Sequence, residues 1–375
     1  MMPWLLTLIT VIIVFYLEKI ESKYIKSILD WIPAILMAYV IPAVLSAIFN
    51  LDFSQHQIHE YSKLYFIPLA IIAVMSSLSI SQLKAIGWKP IVVFLSGSFW
   101  IAVFPVLLAV LLNNTELVTN LFVKQEYWKG AVPIVGSWIG GSTSQLVLKE
   151  LVACPENIFL TVLVMDNILV NIWTIFMFQG IKKSNVLNRK LKITNYNMPS
   201  DIETKKNNAL HPFLCFAILL ACVLITNALV SSFVAKIIIL SVAGLLFSNL
   251  VKQWNYTFML KIGAVLIVVV MAVLGLKLRF NAFSFNMAFF TFLIIWLVSH
   301  FFIMLLVAKW LNVNTAWVPI ASMANVGGIA TAPAVTAAYE KKWMPHAIIL
   351  AILSMATGTF WGMFTIYLFE SFLIK

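Results

Sequence analysis

The feature that most constrains this chain is a series of apolar runs, each about 20 residues long, that follow one another through the sequence. A helix needs about 20 apolar residues to cross the hydrocarbon of a bilayer. Only 10% of the residues are charged, against roughly 25% in a soluble domain, so the chain cannot cover a core of this size with a polar surface. The pattern excludes a soluble enzyme and a secreted disulfide scaffold. It predicts an all-α polytopic membrane protein of about 11–12 transmembrane helices, with the lipid bilayer as its solvent.

The candidate spans are residues 3–17, 28–49, 64–80, 90–113, 129–149, 156–179, 211–231, 233–251, 258–276, 284–309, 314–338 and 344–370. The first run has no basic segment before it, and Glu18, Lys19 and Glu21 follow it where a cleavage site would stand. We therefore expect a retained helix and not a signal peptide. Three cysteines, Cys154, Cys215 and Cys222, have no metal-ligand spacing and are interpreted as packing residues.

The basic residues divide the chain into two halves. A net charge of +11 would suggest nucleic acid in a soluble protein, but here the Lys and Arg residues cluster in loops. The longest loop, residues 181–210, is rich in Lys and Asn. Such clustering is typical of cytoplasmic loops, so we expect this loop to be cytoplasmic and expect no nucleic-acid partner. It separates residues 1–180 from residues 211–375.

The two halves carry a similar pair of motifs. Val132-Pro133-Ile134 is followed six residues later by Gly140-Gly141, and Val318-Pro319-Ile320 is followed seven residues later by Gly327-Gly328. Each Gly-Gly pair lies in a run rich in Gly, Ser, Thr and Pro, near residues 136–145 in the first half and 321–333 in the second. Matched interruptions of this kind indicate the binding site of a secondary transporter. We therefore predict one structural repeat in each half, with a broken helix in each.

Physical chemistry gives such breaks a role. Unwound backbone leaves N–H and C=O groups unpaired, so it persists in a membrane only where it lines protein or a water-filled cavity. The ends of the half-helices then direct partial charges at one point. The alternative is plain helix packing, because Gly and Ser are common where membrane helices touch; packing is the default for Ser354, Gly358 and Gly362, which lie four residues apart. The predicted substrate-binding residues are Gly140, Gly141, Gln145, Asn171, Asn325, Gly327, Gly328 and Thr331.

One acidic residue of the 14 lies in the middle of a predicted span. An aspartate at mid-membrane costs roughly 2.5–3.5 kcal/mol, so Asp166 is a functional-site candidate by default. Asn167, Asn171 and Thr174 recur beside it at helical spacing and form a polar stripe. The predicted ion-coupling residues are Asp166, Asn167, Ser142, Thr143 and Ser144. The alternative is a buried structural aspartate hydrogen-bonded to the end of a broken helix.

A single histidine, His300, lies inside a predicted span, just before the second Gly-rich run. It is a candidate proton relay, although a lone His in an apolar helix is more often a hydrogen-bonded packing residue. Enzyme chemistry would need paired carboxylates, a His-Asp dyad or metal ligands. One mid-membrane Asp and one distant His do not supply them, and HExxH and GxSxG are absent. We therefore expect no catalytic activity, no cofactor and no structural metal.

The run 136–145, the helix with Asp166-Asn167 and the run 321–333 resemble the bacterial membrane family called domain of unknown function 819, over nearly the whole chain. More distantly, the Gly-Gly-Ser break is similar to that of the bile-acid sodium symporters and cation–proton antiporters. The resemblance implies the bacterial inner membrane, inverted repeats, and a core domain that carries both broken helices and moves against a scaffold domain. It also implies a coupling ion on the acidic residue after the first broken helix, the place that Asp166 occupies. The antiporters usually have Asp-Asp or Asn-Asp at this place, and Asp166-Asn167 departs from both, so the stoichiometry and the choice between H⁺ and Na⁺ stay open.

Orientation raises a conflict with inversion. Lys84 and Lys89 favour a cytoplasmic loop, and the 181–210 loop is cytoplasmic too, so an even number of crossings should separate them. The candidate spans give three. Either a boundary is wrong or residues 113–129 contain a re-entrant piece, and we expect inverted repeats in either case.

The sequence thus predicts a secondary active transporter that moves a small solute, coupled to H⁺ or Na⁺ through Asp166, by motion of a core against a scaffold. No Walker A sequence appears, so the energy would come from an ion gradient. The alternative is an ion-only antiporter or channel with no organic substrate. A homodimer is a common way to hold a scaffold still and is compatible with this interpretation.

Overall fold

The structure is a computed structural model that describes residues 1–22, 24–25, 29, 34–77, 83–112, 115–194, 209–251, 253–278 and 285–374. The described residues form helices and loops, with no strand among them. Residues 195–208 of the predicted basic loop lie outside the described part of the chain.

The main helices are numbered here in chain order. They are α1 Met2–Lys19, α2 Ala34–Ile48, α3 Ile58–Met75, α4 Trp88–Leu111, α5 Tyr127–Leu151, α6 Glu156–Lys182, α7 Ser184–Lys190, α8 Pro212–Leu229, α9 Phe233–Leu250, α10 Tyr256–Gly275, α11 Met287–Trp310, α12 Trp317–Val326, α13 Gly328–Ala337 and α14 Met344–Phe372. A π-helical turn, Ser62–Phe66, lies within α3, and a second, Thr119–Lys124, lies between α4 and α5.

Nine of the described helices are long and apolar enough to cross a membrane: α1, α3, α4, α6, α8, α9, α10, α11 and α14. Residues Met37–Ile48 of α2 form a shorter apolar helix. Neither α5 nor the α12–α13 pair belongs to this group. The Gly-Ser-Thr-rich run makes α5 too polar, and α12 and α13 have only 10 residues each. The chain is therefore a polytopic, all-α membrane protein.

Side-chain caps fix where several of these helices begin. Asn255 Oδ1 accepts from the backbone N–H of Phe258 at 3.1 Å at the start of α10. Asn286 Oδ1 accepts from the N–H of Phe289 at 3.0 Å at the start of α11. Each cap satisfies one of the N–H groups that the first turn of a helix leaves without an intrahelical partner.

The chain divides into two compact units, and each draws on both halves of the sequence. Unit 1 comprises Met1–Ser77, Cys154–Ile168 and Asn207–Phe285, which is α1–α3, α8–α10 and the start of α6. Unit 2 comprises Leu78–Ala153, Leu169–Lys206 and Asn286–Lys375, which is α4, α5, α7, α11–α14 and the rest of α6. Both Gly-Gly motifs therefore lie in unit 2.

Within unit 1, α10 packs against α2 and α3, and α9 packs against α3. The hydroxyl of Tyr39 on α2 donates to Glu156 Oε2 at the start of α6, at 2.8 Å. Within unit 2, α14 packs along α5, and α4 packs against α11. Both α12 and α13 contact α14 and α5, so the two Gly-Gly segments pack against each other.

Candidate functional site

Helix α5 is interrupted at Gly141. Its φ of 66° and ψ of −166° fall in a region that is essentially open to glycine alone. A Cβ built on Gly136 would lie 2.8 Å from the backbone N of Gln145, although nine residues of continuous helix span about 13 Å. The segment after Gly141 therefore folds back against the segment before it, and α5 is a helical hairpin with Gly141 at its tip.

The second Gly-Gly pair has the same backbone feature. Helix α12 ends at Val326, and α13 begins at Gly328, whose φ is also 66°. In both motifs the second glycine adopts the positive φ, and no atom lies within 4 Å of the Cβ that either would carry. The requirement for glycine at Gly141 and Gly328 is therefore one of backbone conformation and not of space.

Helix α14 holds the tip of the α5 hairpin. Ser354 Oγ donates to the backbone carbonyl of Ile139, two residues before the tip. Thr359 Oγ1 donates to Ser144 Oγ at 3.0 Å, three residues after it. The two α14 side chains thus attach both arms of the hairpin to one helix.

Asn325, two residues before Gly327, joins three helices. Ser98 Oγ on α4 and Ser354 Oγ on α14 each lie 3.0 Å from Asn325 Oδ1, and the side chain is only 2% exposed. A buried amide without partners would cost about 1–3 kcal/mol. The two serines therefore stabilise the Asn325 side chain in its buried position. The Nδ2 group of Asn325 donates to the carbonyl of Phe94 at 3.4 Å, so protein contacts hold both ends of this amide in place.

Four other predicted site residues have a buried polar atom with no hydrogen-bond partner in the described part of the chain: Thr143 Oγ1, Gln145 Nε2, Asn171 Nδ2 and Thr331 Oγ1. All four belong to unit 2. Three of them lie within five residues of a Gly-Gly pair, and Asn171 lies on the unit 2 part of α6. Buried polar groups in native proteins are nearly always paired, so an unpaired group indicates a missing water, ion or ligand.

The other residues predicted for the breaks have different surroundings. Ser144 accepts from Thr359. Gly140 contacts the backbone of α14, and Ser142 is half-buried beside the hairpin tip. A Cβ on Gly327 would lie 1.9 Å from Thr331 Oγ1, so the second interruption has little free volume on that side.

Asp166 and Asn167 lie in the other unit. The first part of α6, which carries both residues, belongs to unit 1. Asp166 is buried, with 6% of its surface exposed. Asn167 Nδ2 donates to the carbonyl of Leu163 at 3.1 Å, so this amide is bonded within its own helix. Thr174, in unit 2, likewise donates to its own helix, at Val170. Of the predicted polar stripe, Asn171 therefore keeps an unpaired amide nitrogen.

His300 is fully buried in α11, and neither ring nitrogen has a partner among the residues described. A Cβ on Gly97 of α4 would lie 2.8 Å from His300 Nε2, so the glycine makes room for the ring. Over the same residues, no three His, Cys, Asp or Glu side chains come together as a metal site.

Several residues that shape the site were assigned no role from the sequence. They are Ser98, Trp173, Ser322 and Thr359, which form cross-helix hydrogen bonds. Trp173 Nε1 donates to Ser322 Oγ at 2.9 Å and links the unit 2 part of α6 to α12. The spacing of Ser354, Gly358 and Gly362 predicts helix packing, and Gly358 does pack against Gly140 of α5. The hydroxyl of Ser354 also donates a hydrogen bond to the α5 hairpin.

Residues 5–372 match the family model described as protein of unknown function (DUF819). The chain belongs to this family. The match covers both Gly-Gly motifs and nearly all of both units, so the arrangement described above is that of a DUF819 protein. No curated protein matches the chain.

Proposed function

We propose that this DUF819 membrane protein is a secondary active transporter that carries a small polar solute across the bilayer. In this proposal the solute binds beside the two Gly-Gly interruptions of unit 2. Transport is coupled to H⁺ or Na⁺ through Asp166, and the site opens alternately to each face of the membrane.

The observation that carries this proposal is the group of unpaired polar atoms on Thr143, Gln145, Asn171 and Thr331. Each unsatisfied buried group costs about 1–3 kcal/mol. Three of these four groups lie within five residues of the two non-helical glycines, and all four belong to unit 2. A bound solute with several polar atoms would satisfy them, and the cost of the empty site would become binding free energy.

The two amide nitrogens among these atoms favour a solute over the ion-only alternative, whereas the hydroxyls of Thr143 and Thr331 could contact either. As the amides are oriented, Gln145 and Asn171 each present an N–H₂ donor. Donors cannot coordinate a cation, which requires oxygen ligands. Carbonyl, carboxylate or hydroxyl oxygens of a solute would accept from them.

The α5 hairpin also accounts for the orientation conflict. A segment that folds back on itself does not cross the membrane, so α4 and α6 alone separate Lys84 and Lys89 from the basic loop that begins near Lys182. Two crossings keep both loops on the cytoplasmic side. We infer that the re-entrant piece is Tyr127–Leu151 and not residues 113–129.

The number of membrane crossings in each half also supports inverted repeats. If the α12–α13 segment also doubles back, each half contributes five crossings: α1, α2, α3, α4 and α6, then α8, α9, α10, α11 and α14. An odd number inverts the second half relative to the first. Inverted repeats with interrupted helices at matching places are typical of secondary transporters.

Coupling has a physical cause in the charge of Asp166. A carboxylate in a low-dielectric setting is costly to move unless it is neutralised by a proton or paired with a cation. Binding of the ion therefore changes the free energy of the translocation step, which is what couples an ion gradient to a solute.

The test uses purified protein in proteoliposomes with an imposed Na⁺ or H⁺ gradient and a panel of labelled polar solutes. We expect one solute class to accumulate with one of the gradients, and Asp166→Asn to abolish accumulation while the protein stays folded. Glu156→Gln, at the start of the same helix, is the matched control and should retain accumulation. Accumulation by Asp166→Asn at the wild-type level would make Asp166 structural. Ion flux without any solute requirement would favour the antiporter or channel.

A further inference from the structure

A cavity of about 250 Å³ lies in unit 1, between the start of α3 and the start of α9, away from both Gly-Gly motifs in the sequence. Its lining residues are Glu60, Lys63, Leu64, Ser231, Phe233 and Lys236. Three features give this cavity a chemistry of its own: a buried lysine, a helix N-terminus and a π-helical turn.

Lys236 is the most unusual residue of the cavity wall. Only 6% of its surface is exposed, and its ammonium group forms no hydrogen bond or ion pair with the described residues. Lysine is almost never buried to this extent without a partner. It also lies in the first turn of α9, where the helix dipole is positive. Two positive features therefore meet in this part of the cavity wall.

The other side of the cavity is formed by the π-helical turn Ser62–Phe66 of α3. Lys63 lies in this turn, with its Nζ 5.1 Å from the centroid of the Phe233 ring. The carbonyl of Leu64 accepts from Asn227 Nδ2 at 2.7 Å, which fixes the turn against the end of α8. Single π-helical turns are frequent at functional sites, and this one places a second cation at the cavity.

The charge of the wall is positive overall. Glu60 is the one carboxylate among the six lining residues, and it is exposed. Two lysines and a helix N-terminus therefore outweigh it. An anion with several acceptor oxygens fits this wall, because it could accept from Lys236, Lys63 and those first-turn N–H groups of α9 that Ser232 does not cap.

The surroundings indicate that the anion is attached to a lipid. The cavity lies at the ends of α3, α8 and α9, all three of which are long and apolar enough to cross a membrane, and helix ends are at headgroup depth. Around it Leu64, Leu229 and Val234 are 40%, 79% and 42% exposed. Apolar side chains would face acyl chains while the lysines face the headgroup.

We propose that this cavity of unit 1 binds the phosphate group of an anionic phospholipid. Lys236 contributes a cation on a mostly buried side chain, Lys63 the second contact, and the start of α9 the backbone donors. The lipid would stabilise unit 1 by neutralising the charge of Lys236, for which the described residues supply no hydrogen-bond or ion-pair partner.

The experiment measures the melting temperature of the purified full-length protein in neutral detergent, during separate titrations with phosphatidylglycerol, phosphatidylcholine and inorganic phosphate. We expect phosphatidylglycerol to raise the melting temperature of the wild type at concentrations where the other two have little effect. Lys236→Gln should need about fivefold more phosphatidylglycerol for the same shift, since one lysine near an anionic lipid contributes about 1 kcal/mol.

Lys261→Gln is the matched control, because Lys261 is an exposed lysine of α10 in the same unit and does not line the cavity. It should titrate like the wild type. If Lys236→Gln does not fold, Lys63→Gln, at an exposed position, takes its place and should weaken the response in the same direction.

Three results would overturn the proposal: equal titrations for the lysine variants and the wild type, an equal response to phosphatidylcholine, or an equal response to inorganic phosphate. The last would identify the occupant as a free anion and not a lipid. None of these results bears on transport through unit 2, so the two proposals fail separately.

Discussion

Gly140 and Gly358 bring α5 and α14 into backbone contact. A Cβ built on Gly358 would lie 2.2 Å from the Cα and 2.4 Å from the N of Gly140. The contact is one residue before the tip of the α5 hairpin, so α14 supports the interruption at its narrowest point. Any side chain at this contact must move a backbone.

This backbone contact predicts how alanine substitutions on α14 change the stability of the protein. Gly358→Ala should destabilise the protein by about 1–3 kcal/mol or more, because overpacking here cannot be relieved by a rotamer change. Gly362→Ala should cost less, since its added Cβ would meet the flexible side chain of Leu148. Thermal unfolding in detergent measures both.

A second substitution separates the two cases. In a Leu148→Ala background, the additional Gly362→Ala substitution should cost little stability, whereas Gly358→Ala should cost as much as it does in the wild type. Wild-type stability of Gly358→Ala would contradict the backbone contact.

Gly141 gives a prediction about conformation alone. Gly141→Ala should cost about 1–3 kcal/mol, because alanine strongly disfavours its φ and ψ, although nothing lies within 4 Å of the added Cβ. The matched control is Gly180→Ala on α6, at a helical position whose Cβ would have no neighbour nearer than 4.0 Å. That variant should be stabilised by about 0.5–1 kcal/mol. Equal effects of the two substitutions would show that Gly141 is not strained.

The unpaired hydroxyls predict opposite effects on stability and on binding. Thr143→Val and Thr331→Val each remove a polar atom that has no partner, so stability without solute should stay the same or rise, while solute affinity falls. Thr365→Val is the control, because Thr365 Oγ1 donates to Ala102 O at 2.9 Å. Its loss should cost about 1 kcal/mol. Unfolding and solute-binding titrations measure both quantities; destabilisation by Thr143→Val would indicate a structural role.

The Trp173–Ser322 hydrogen bond predicts an energetic link between α6 and α12. A double-mutant cycle with Trp173→Phe and Ser322→Ala should give a coupling of about 0.5–1.5 kcal/mol. The comparison is Trp100→Phe with Ser299→Ala, a partly buried pair at 2.8 Å, which should couple less. A coupling near zero for Trp173 and Ser322 would mean that the bond does not hold α12.

The apolar composition was enough to predict the helical membrane fold, and the local pattern of Gly, Ser, Thr and Pro located both Gly-rich runs. It also predicted that Ser354, Gly358 and Gly362 pack against another helix, because their spacing puts them on one face. These features depend on local pattern, which a single sequence carries.

The hairpin at Gly141 could not be predicted, because a Gly-Gly pair indicates that a helix can bend but not by how much. Which residue of the polar stripe keeps an unpaired polar atom also could not be predicted from the sequence. Asn167 and Thr174 bond to their own helix and Asn171 does not, a difference that depends on side-chain rotamers. The partners of Asn325 come from α4 and α14, which are distant in sequence.

Ion coupling through Asp166 is tested by the melting temperature of purified wild type and Asp166→Asn across Na⁺ concentration and pH. An ion that binds only the folded state raises the melting temperature. We expect the melting temperature of the wild type to respond to Na⁺, or to pH alone if protons are the coupling ion, and Asp166→Asn to lose this response. Identical responses of the two proteins would contradict ion coupling through Asp166.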